Sequence, residues 1–191
     1  MSEVVEKALF SSVPQALDWA YKMEHVSHYP TFDPRGHKLR FNNWTDLSTL
    51  EKCAQAAYLV DIVETRLKAP ETAVVRARHA SGFTQLKGVH SIAEYVRGIA
   101  KNTDECLTVI VAAMYIKRVV GGTKETQRKN EILRSEYSKR KIASRYSVNI
   151  RSIEDDWMLI KGHVSTLERM AYSTLDVEFK KYDGLIEYNL M

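Results

Sequence analysis

Cationic and hydrogen-bonding side chains are concentrated between Lys139 and Lys161, in the sequence KRKIASRYSVNIRSIEDDWMLIK. Lysine and arginine side chains bind phosphate groups, and arginine, asparagine, serine and aspartate can hydrogen-bond to the edges of bases. Three consecutive acids, Glu154, Asp155 and Asp156, interrupt the positive charge and would be repelled by phosphates. The stretch therefore contains residues that favour contact with nucleic acid and residues that oppose it.

The stretch also has the pattern of a helix-turn-helix, in which a small residue lies where two helices approach and a short turn joins them. Ala143 is the small residue of the first helix, and Ser147 takes the turn position that is usually given to glycine. Ile153 follows Ala143 by 10 residues, as the core residue of the second helix should. The other apolar positions of the pattern are Ile142, Tyr146, Val148, Trp157 and Ile160.

A third helix, from about Lys124 to Tyr137, would complete a trihelical core through Ile132 and Leu133. Most of the local positive charge then lies before and at the start of the second helix of the motif, which favours contact with phosphates. The predicted phosphate contacts are Lys124, Arg128, Lys139, Arg140, Lys141 and Arg145. Recognition helices read bases mostly with their N-terminal residues. The predicted base contacts are Asn149, Arg151, Ser152 and Asp155.

The acids leave a second interpretation open, in which the two helices are purely structural or bind a protein. Carboxylates near a helix N-terminus interact favourably with the helix dipole. Asp156 is expected to point away from the groove and to pair with Lys161 or with the helix end.

Apolar residues at three- and four-residue spacing dominate the long segments between the 4 prolines and 8 glycines, so the sequence predicts an all-α protein. Upstream helices are predicted over 13–24, 45–67, 70–80, 91–100 and 103–120. Ser48 and Glu51 have capping-box spacing in the second of these. Its predicted apolar face contains Leu50, Cys53, Ala54, Ala57, Leu59, Val60 and Val63. A C-terminal apolar stripe contains Ile160, Val164, Leu167, Ala171, Leu175 and Phe179.

Gly121 and Gly122 form the best candidate boundary, because they end the apolar pattern and a highly charged segment follows. The predicted domains are a helical N-terminal bundle over 1–120, with an irregular connection over about 25–43, and a helix-turn-helix module over 123–191 with a long C-terminal helix. Apolar residues of 50–63 and 105–119 would build the bundle. Part of either face could instead form a homo-oligomer or contact a partner protein.

Residues that could support catalysis or bind a metal are sparse. Four side chains of one irregular segment could be imagined as ligands: His25, His28, Asp33 and His37. A structural zinc site normally offers close Cys and His pairs, so we expect these side chains in a solvent-exposed loop. Three isolated histidines are expected at the surface or at helix ends: His79, His90 and His163. Nucleotide-binding loops, nucleophile elbows and zinc-protease motifs are missing from the sequence, which predicts no enzyme, no metal and no cofactor.

The 191 residues carry a formal net charge of +4, which permits an anionic partner without requiring one. Cys53 and Cys106 are far apart and each falls in an apolar helical pattern, so both are expected as reduced thiols in a core. No run approaches the ~18 apolar residues that span a bilayer, and no signal-peptide pattern follows Met1. A cytoplasmic protein without membrane contact is expected.

Residues 139–161, with Ala143 and Ser147 at the helix crossing and the turn, resemble the trihelical DNA-binding module of sigma-factor region 4 and related phage regulators. The segment TDLSTLEKCAQAAYLVDIVETRLKAPETAVVRARHA is similar to the upstream helical part of small phage and prophage regulatory proteins. Among these, the phage late-gene antiterminators are similar in size and helical character, over about residues 45–180. The chain departs from the family pattern at Ser147 and in the acids 154–156.

The resemblance implies a transcription regulator that binds double-stranded DNA near a promoter and acts with RNA polymerase, as an antiterminator or an activator. It implies the cytoplasm of a bacterial host if the protein is phage-encoded. The alternative is a DNA-binding assembly or packaging subunit, or a protein-interaction adaptor.

Overall fold

The computed structural model describes residues 9–28, 48–115, 132, 135–182 and 185, without the side chains of 24–28. The described residues form seven α-helices and no β-strand, which confirms the predicted all-α class. The helices are α1 (Val13–His28), α2 (Thr49–Arg66), α3 (Ala69–His79), α4 (Gly82–Val96), α5 (Asp104–Tyr115), α6 (Lys139–Arg145) and α7 (Ile150–Phe179). None of these seven is long and apolar enough to span a bilayer.

The start of α2 confirms the predicted capping box. The Ser48 backbone N–H donates to Glu51 Oε2 at 2.7 Å, and the Glu51 N–H donates to Ser48 Oγ at 3.3 Å. The hydrogen bond from the Ser48 hydroxyl is the main cause that lowers the pKa of Glu51. The carboxylate therefore stays ionised and keeps the helix end capped over a wide pH range.

The predicted apolar face of α2 is wrong at several positions. Leu50 is 81% exposed, and Ala54 and Ala57 are exposed as well. The side chains that α2 buries are Ala56, Leu59, Ile62 and Val63. Because α2 carries apolar residues around most of its circumference, their spacing alone does not identify the face that packs on the protein.

The prediction of a helix over 91–100 is wrong in both bounds, since α4 begins at Gly82 and ends at Val96. A positive φ of 57° at Gly82 lets the chain turn into this helix. Gly88 faces α3 so closely that a Cβ atom there would lie 2.6 Å from Ala73 O and 2.6 Å from Ala77 N. The glycines that look like helix breakers in the sequence thus start α4 and pack it.

Two hydrophobic clusters form the interior. The first joins α1, α2, Val75 of α3 and the end of α7, and its largest fully buried side chains include Leu17, Tyr21, Val63, Leu175 and Phe179. The second joins α3, α4, α5, α6 and the first part of α7, and includes Ile92, Leu107, Ile110, Ile142, Ile153 and Ile160. Cys106 is buried in this second cluster and Cys53 is half-buried beside the first, both with free thiols, as predicted.

The long helix α7 contributes to both clusters. All six residues of the predicted C-terminal stripe are buried, from Ile160 to Phe179, which confirms that prediction. The candidate boundary at Gly121 and Gly122 lies outside the described residues, as does the part of the 25–43 connection after His28, so the two-domain division stays a prediction. Ile132 is 54% exposed, so its predicted place in a trihelical core is wrong, and Leu133 lies outside the described residues.

Candidate nucleic-acid interface

Helices α6 and α7 are joined by the four residues Tyr146–Asn149. The Val148 N–H donates to Ala143 O at 3.0 Å, and the Ser147 N–H donates to Ser144 O at 3.4 Å. These two bonds are those of a Schellman motif, whose left-handed residue is usually glycine. Ser147 occupies that position with a φ of 53°, as the sequence pattern predicts. Asn149 then caps α7, because its Oδ1 accepts from the Arg151 N–H at 2.9 Å.

Replacing Ser147 with glycine should raise the free energy of unfolding by about 0.5–1 kcal/mol, because glycine adopts a positive φ without the steric cost that a Cβ atom imposes. Replacing it with valine should lower the free energy of unfolding, since a β-branched side chain tolerates this conformation poorly. Urea unfolding followed by circular dichroism measures both. Equal stabilities for the two variants would contradict the turn geometry.

The apolar positions of the motif pack as predicted beneath the surface that α6 and α7 share. Ile142, Ala143, Ile153 and Ile160 are buried. Trp157 is half-buried rather than fully buried, and the Lys139 Nζ lies 5.5 Å from its ring centroid. This cation–π contact holds one predicted phosphate ligand against α7.

Three cations project from the outer side of α6 and its C-terminal end: Arg140, Lys141 and Arg145 are all exposed. Glu136 lies 3.9 Å from Lys141 Nζ and 3.4 Å from Arg145 Nη2. Arg140 has no acidic partner within the described part of the chain. Two further predicted phosphate contacts, Lys124 and Arg128, lie outside the described residues.

The predicted base contacts do not share one environment. Asn149 uses its side-chain oxygen to cap α7, and the Ser152 hydroxyl donates to Asn102 Oδ1 at 3.3 Å. Asp155 Oδ2 accepts from Lys101 Nζ at 2.9 Å. Arg151 is exposed and has no ion-pair partner among the residues that the structure describes. Of the four, Arg151 alone projects outward with no intramolecular partner in that part of the chain.

Asp156 differs from the other two acids of the cluster, because its side chain points into the protein and the residue is only 1% exposed. Its carboxylate accepts the Lys101 N–H at 3.0 Å, the Asn102 N–H at 3.0 Å and the Asn102 Nδ2–H at 2.6 Å. The expectation that Asp156 pairs with Lys161 or the helix end is therefore wrong. A buried carboxylate needs several donors, and the backbone between α4 and α5 supplies them.

The three acids thus contribute less negative charge to the surface than the sequence suggests. Asp156 is buried, Asp155 is paired with Lys101, and Glu154 is exposed. The hydrogen bond with Asp155 raises the pKa of Lys101, so this amine keeps its charge near neutral pH. The exposed start of α7 is close to electrically balanced, while α6 beside it is basic.

No protein-family model matches the chain, and no curated protein sequence matches it. Its function has to be inferred from the geometry of the α6–α7 surface and from the chemistry of its side chains.

His79 is a polar residue whose role the sequence did not reveal. It is buried, with Nδ1 2.9 Å from Asp18 Oδ1 and Nε2 2.8 Å from the Tyr172 hydroxyl oxygen. Burial raises the pKa of Tyr172 to about 12, so its hydroxyl keeps the proton that it can donate to Nε2. His79 is the last residue of α3, so the predicted helix-end position is confirmed although the side chain is buried, whereas His90 and His163 are exposed as expected. His79 connects α1, α3 and α7.

Metal chemistry has no support in the described residues, where no group of three or more His, Cys, Asp or Glu side chains could hold an ion. The side chains of His25 and His28, and all of Asp33 and His37, lie outside the described part.

Proposed function

We propose that the protein binds double-stranded DNA through α6 and α7, as a transcription regulator of the late-gene antiterminator type that acts with RNA polymerase. The DNA-binding part of the proposal rests on the environments of two acids, Asp155 and Asp156, at the start of α7 beside the basic helix α6. Asp156 is buried and Asp155 is paired with Lys101, so Glu154 is the one exposed acid of the cluster without an ion-pair partner beside Arg151 among the described residues. The regulator and polymerase parts rest on the resemblance of residues 45–180 to phage regulators.

The charge of α6 supports contact with phosphates. In a helix-turn-helix, the first helix crosses the DNA backbone while the second enters the major groove. Arg140, Lys141 and Arg145 are exposed on the first helix, and Glu136 offsets only part of their charge. Exposed ion pairs contribute little to stability, so Lys141 and Arg145 can exchange Glu136 for a phosphate at small cost.

Arg151 is the principal base contact in this proposal. Arg151 is the second residue of α7, at the end that recognition helices direct at bases. An arginine there can bind guanine O6 and N7 with two hydrogen bonds. Asn149, Ser152 and Asp155 would first have to exchange their intramolecular partners.

Two variants separate base reading from phosphate contact, on a DNA fragment that the parent protein selects from a random library. Arg151→Ala should cost about 1–3 kcal/mol on the selected site and relax its specificity. Arg140→Ala should weaken selected and scrambled DNA alike, and should reduce the slope of log K against log salt by about 1. Fluorescence anisotropy titrations at several salt concentrations measure both effects.

Arg66→Ala is the matched control, because Arg66 is an exposed arginine whose carboxylate partner, Glu178, lies near the far end of α7. It should bind DNA as the parent does. If the parent selects no fragment, or if Arg151→Ala and Arg140→Ala bind as well as Arg66→Ala, α6 and α7 are not a DNA-binding surface.

A protein-interaction adaptor is the second candidate, favoured by an apolar groove beside α7. A cavity of about 660 Å³ lies between α3, α4 and α7. Met158 and Met170 line it and are 74% and 43% exposed. Flexible methionines are common at surfaces that bind proteins. Failure of the parent protein to bind DNA in the titrations above would leave this second candidate.

A further inference from the structure

The segment between α4 and α5, residues 97–103, lies beside the first two turns of α7 and is called the α4–α5 loop below. Asp156 accepts both backbone N–H groups of Lys101 and Asn102, and Ser152 donates to the Asn102 side chain. Lys101 Nζ also reaches Asp155. Since one of these anchors is a buried carboxylate, the loop is held in a fixed position against α7.

Lys101 and α6 contact nearly opposite sides of α7. Successive residues of an α-helix are rotated by about 100°, so Asp155, which binds Lys101 Nζ, and Trp157, which contacts Lys139 of α6, point about 160° apart. Asp156, which holds the loop backbone, points about 100° from Trp157. The exposed residues Arg151, Glu154 and Met158 lie between these two sides. A helix in the major groove has one phosphate backbone on each side. With α7 in the groove, α6 would face one backbone and the loop would face the other.

The exposed side of the loop carries two cations, each paired with a carboxylate. The side chains of Arg97 and Lys101 are 55% and 67% exposed, in ion pairs with Asp104 and Asp155. A Cβ atom at Gly98 would meet nothing within 4 Å, so the backbone there is open to close approach. Both ion pairs are exposed and contribute little to stability, so a phosphate can replace a carboxylate partner at small cost.

We propose that the α4–α5 loop is a second DNA-contacting element, in which Lys101 binds the phosphate backbone on the side of α7 opposite α6. This inference rests on the proposed function and adds to it a contact from outside the helix-turn-helix pattern. The buried Asp156 positions the loop, and Lys101 makes the contact.

The alternative role for Lys101 is to neutralise Asp155, which would help DNA binding without touching DNA. Replacing Lys101 with alanine in the parent and in an Asp155→Asn background separates the two roles. A direct phosphate contact predicts binding about 5- to 10-fold weaker at ~0.1 M salt in both backgrounds, with a salt slope lower by about 1. Neutralisation alone predicts a loss only where Asp155 is present.

Lys180→Ala is the matched control, because Lys180 is also an exposed lysine with an aspartate partner, Asp176, at the far end of α7. It should leave affinity and slope unchanged. A Lys101→Ala variant that binds like the Lys180→Ala control, or loses affinity only beside Asp155, overturns the inference while Arg140→Ala still reports DNA binding. A parent that binds no DNA overturns the proposed function and the inference together.

Discussion

Replacing Gly88 with alanine should lower the free energy of unfolding by about 1–3 kcal/mol, although alanine is normally the better helix former. A Cβ atom at this position would lie 2.6 Å from Ala73 O and 2.6 Å from Ala77 N. Both are backbone atoms of α3, so the clash cannot be relieved by rotating a side chain. The two helices would have to move apart, which would loosen the packing of the second cluster, to which Val74 of α3 and Ile92 of α4 both belong.

Gly162→Ala is the control for Gly88→Ala. Gly162 also lies inside a helix, α7, but a Cβ atom there would meet nothing within 4 Å. This substitution should raise the free energy of unfolding by about 0.5–1 kcal/mol through helix propensity alone. Urea unfolding gives both values, and a Gly88→Ala variant that is stabilised like Gly162→Ala would contradict the close crossing of α3 and α4.

Local signals in the sequence were enough to predict much of the fold. The Ser48 and Glu51 capping box, the apolar stripe from Ile160 to Phe179 and the turn at Ser147 each depend on residues close together in the chain. Such features follow from backbone hydrogen bonding and helical periodicity, which act over a few residues. They predict where a helix begins, which of its faces is buried and where the chain turns after it ends.

The errors have equally physical causes. The spacing predicts a buried Leu50 because α2 has more than one apolar face, and the choice between these faces depends on which helices pack there. The first part of α4 was missed because Gly82 and Gly88 resemble breaks, whereas one supplies a positive φ and the other a close helix crossing. The close crossing at Gly88 is visible only with the neighbouring helix in place.

The candidate site was predictable only where its contacts are local. Ala143 and Ile153 follow from the helix-turn-helix spacing. The partners of His79 are 61 and 93 residues away in sequence, and Asp156 bonds to residues 54 and 55 positions away. Periodicity does not identify the partners of such pairs, although it places Asp156, three residues after Ile153 and four before Ile160, on the buried stripe of α7.

Replacing Asp156 with alanine should lower the free energy of unfolding by about 3 kcal/mol, the largest effect that we expect from a single polar residue of this protein. The substitution removes the acceptor for the backbone N–H groups of Lys101 and Asn102 and for the Asn102 amide. Each donor left without an acceptor in a buried place costs about 1–3 kcal/mol, and partial access of water reduces the sum. Asp156→Asn should have a smaller effect, because it keeps one carbonyl oxygen.

Asp155→Ala, one residue away, is the control for Asp156→Ala because, among the described residues, its carboxylate bonds only to Lys101 in an exposed ion pair. Its free energy of unfolding should stay close to that of the parent. Hydrogen exchange gives the local measurement: the Lys101 and Asn102 amides should exchange faster in Asp156→Ala and at the parent rate in Asp155→Ala. Similar stabilities and exchange rates in the two variants would mean that the buried carboxylate does not hold the α4–α5 loop.

If the loop is a DNA-contacting element, Asp156→Ala should also remove most of the DNA affinity that Lys101 supplies, because a phosphate ligand on an unanchored loop must be ordered again on binding.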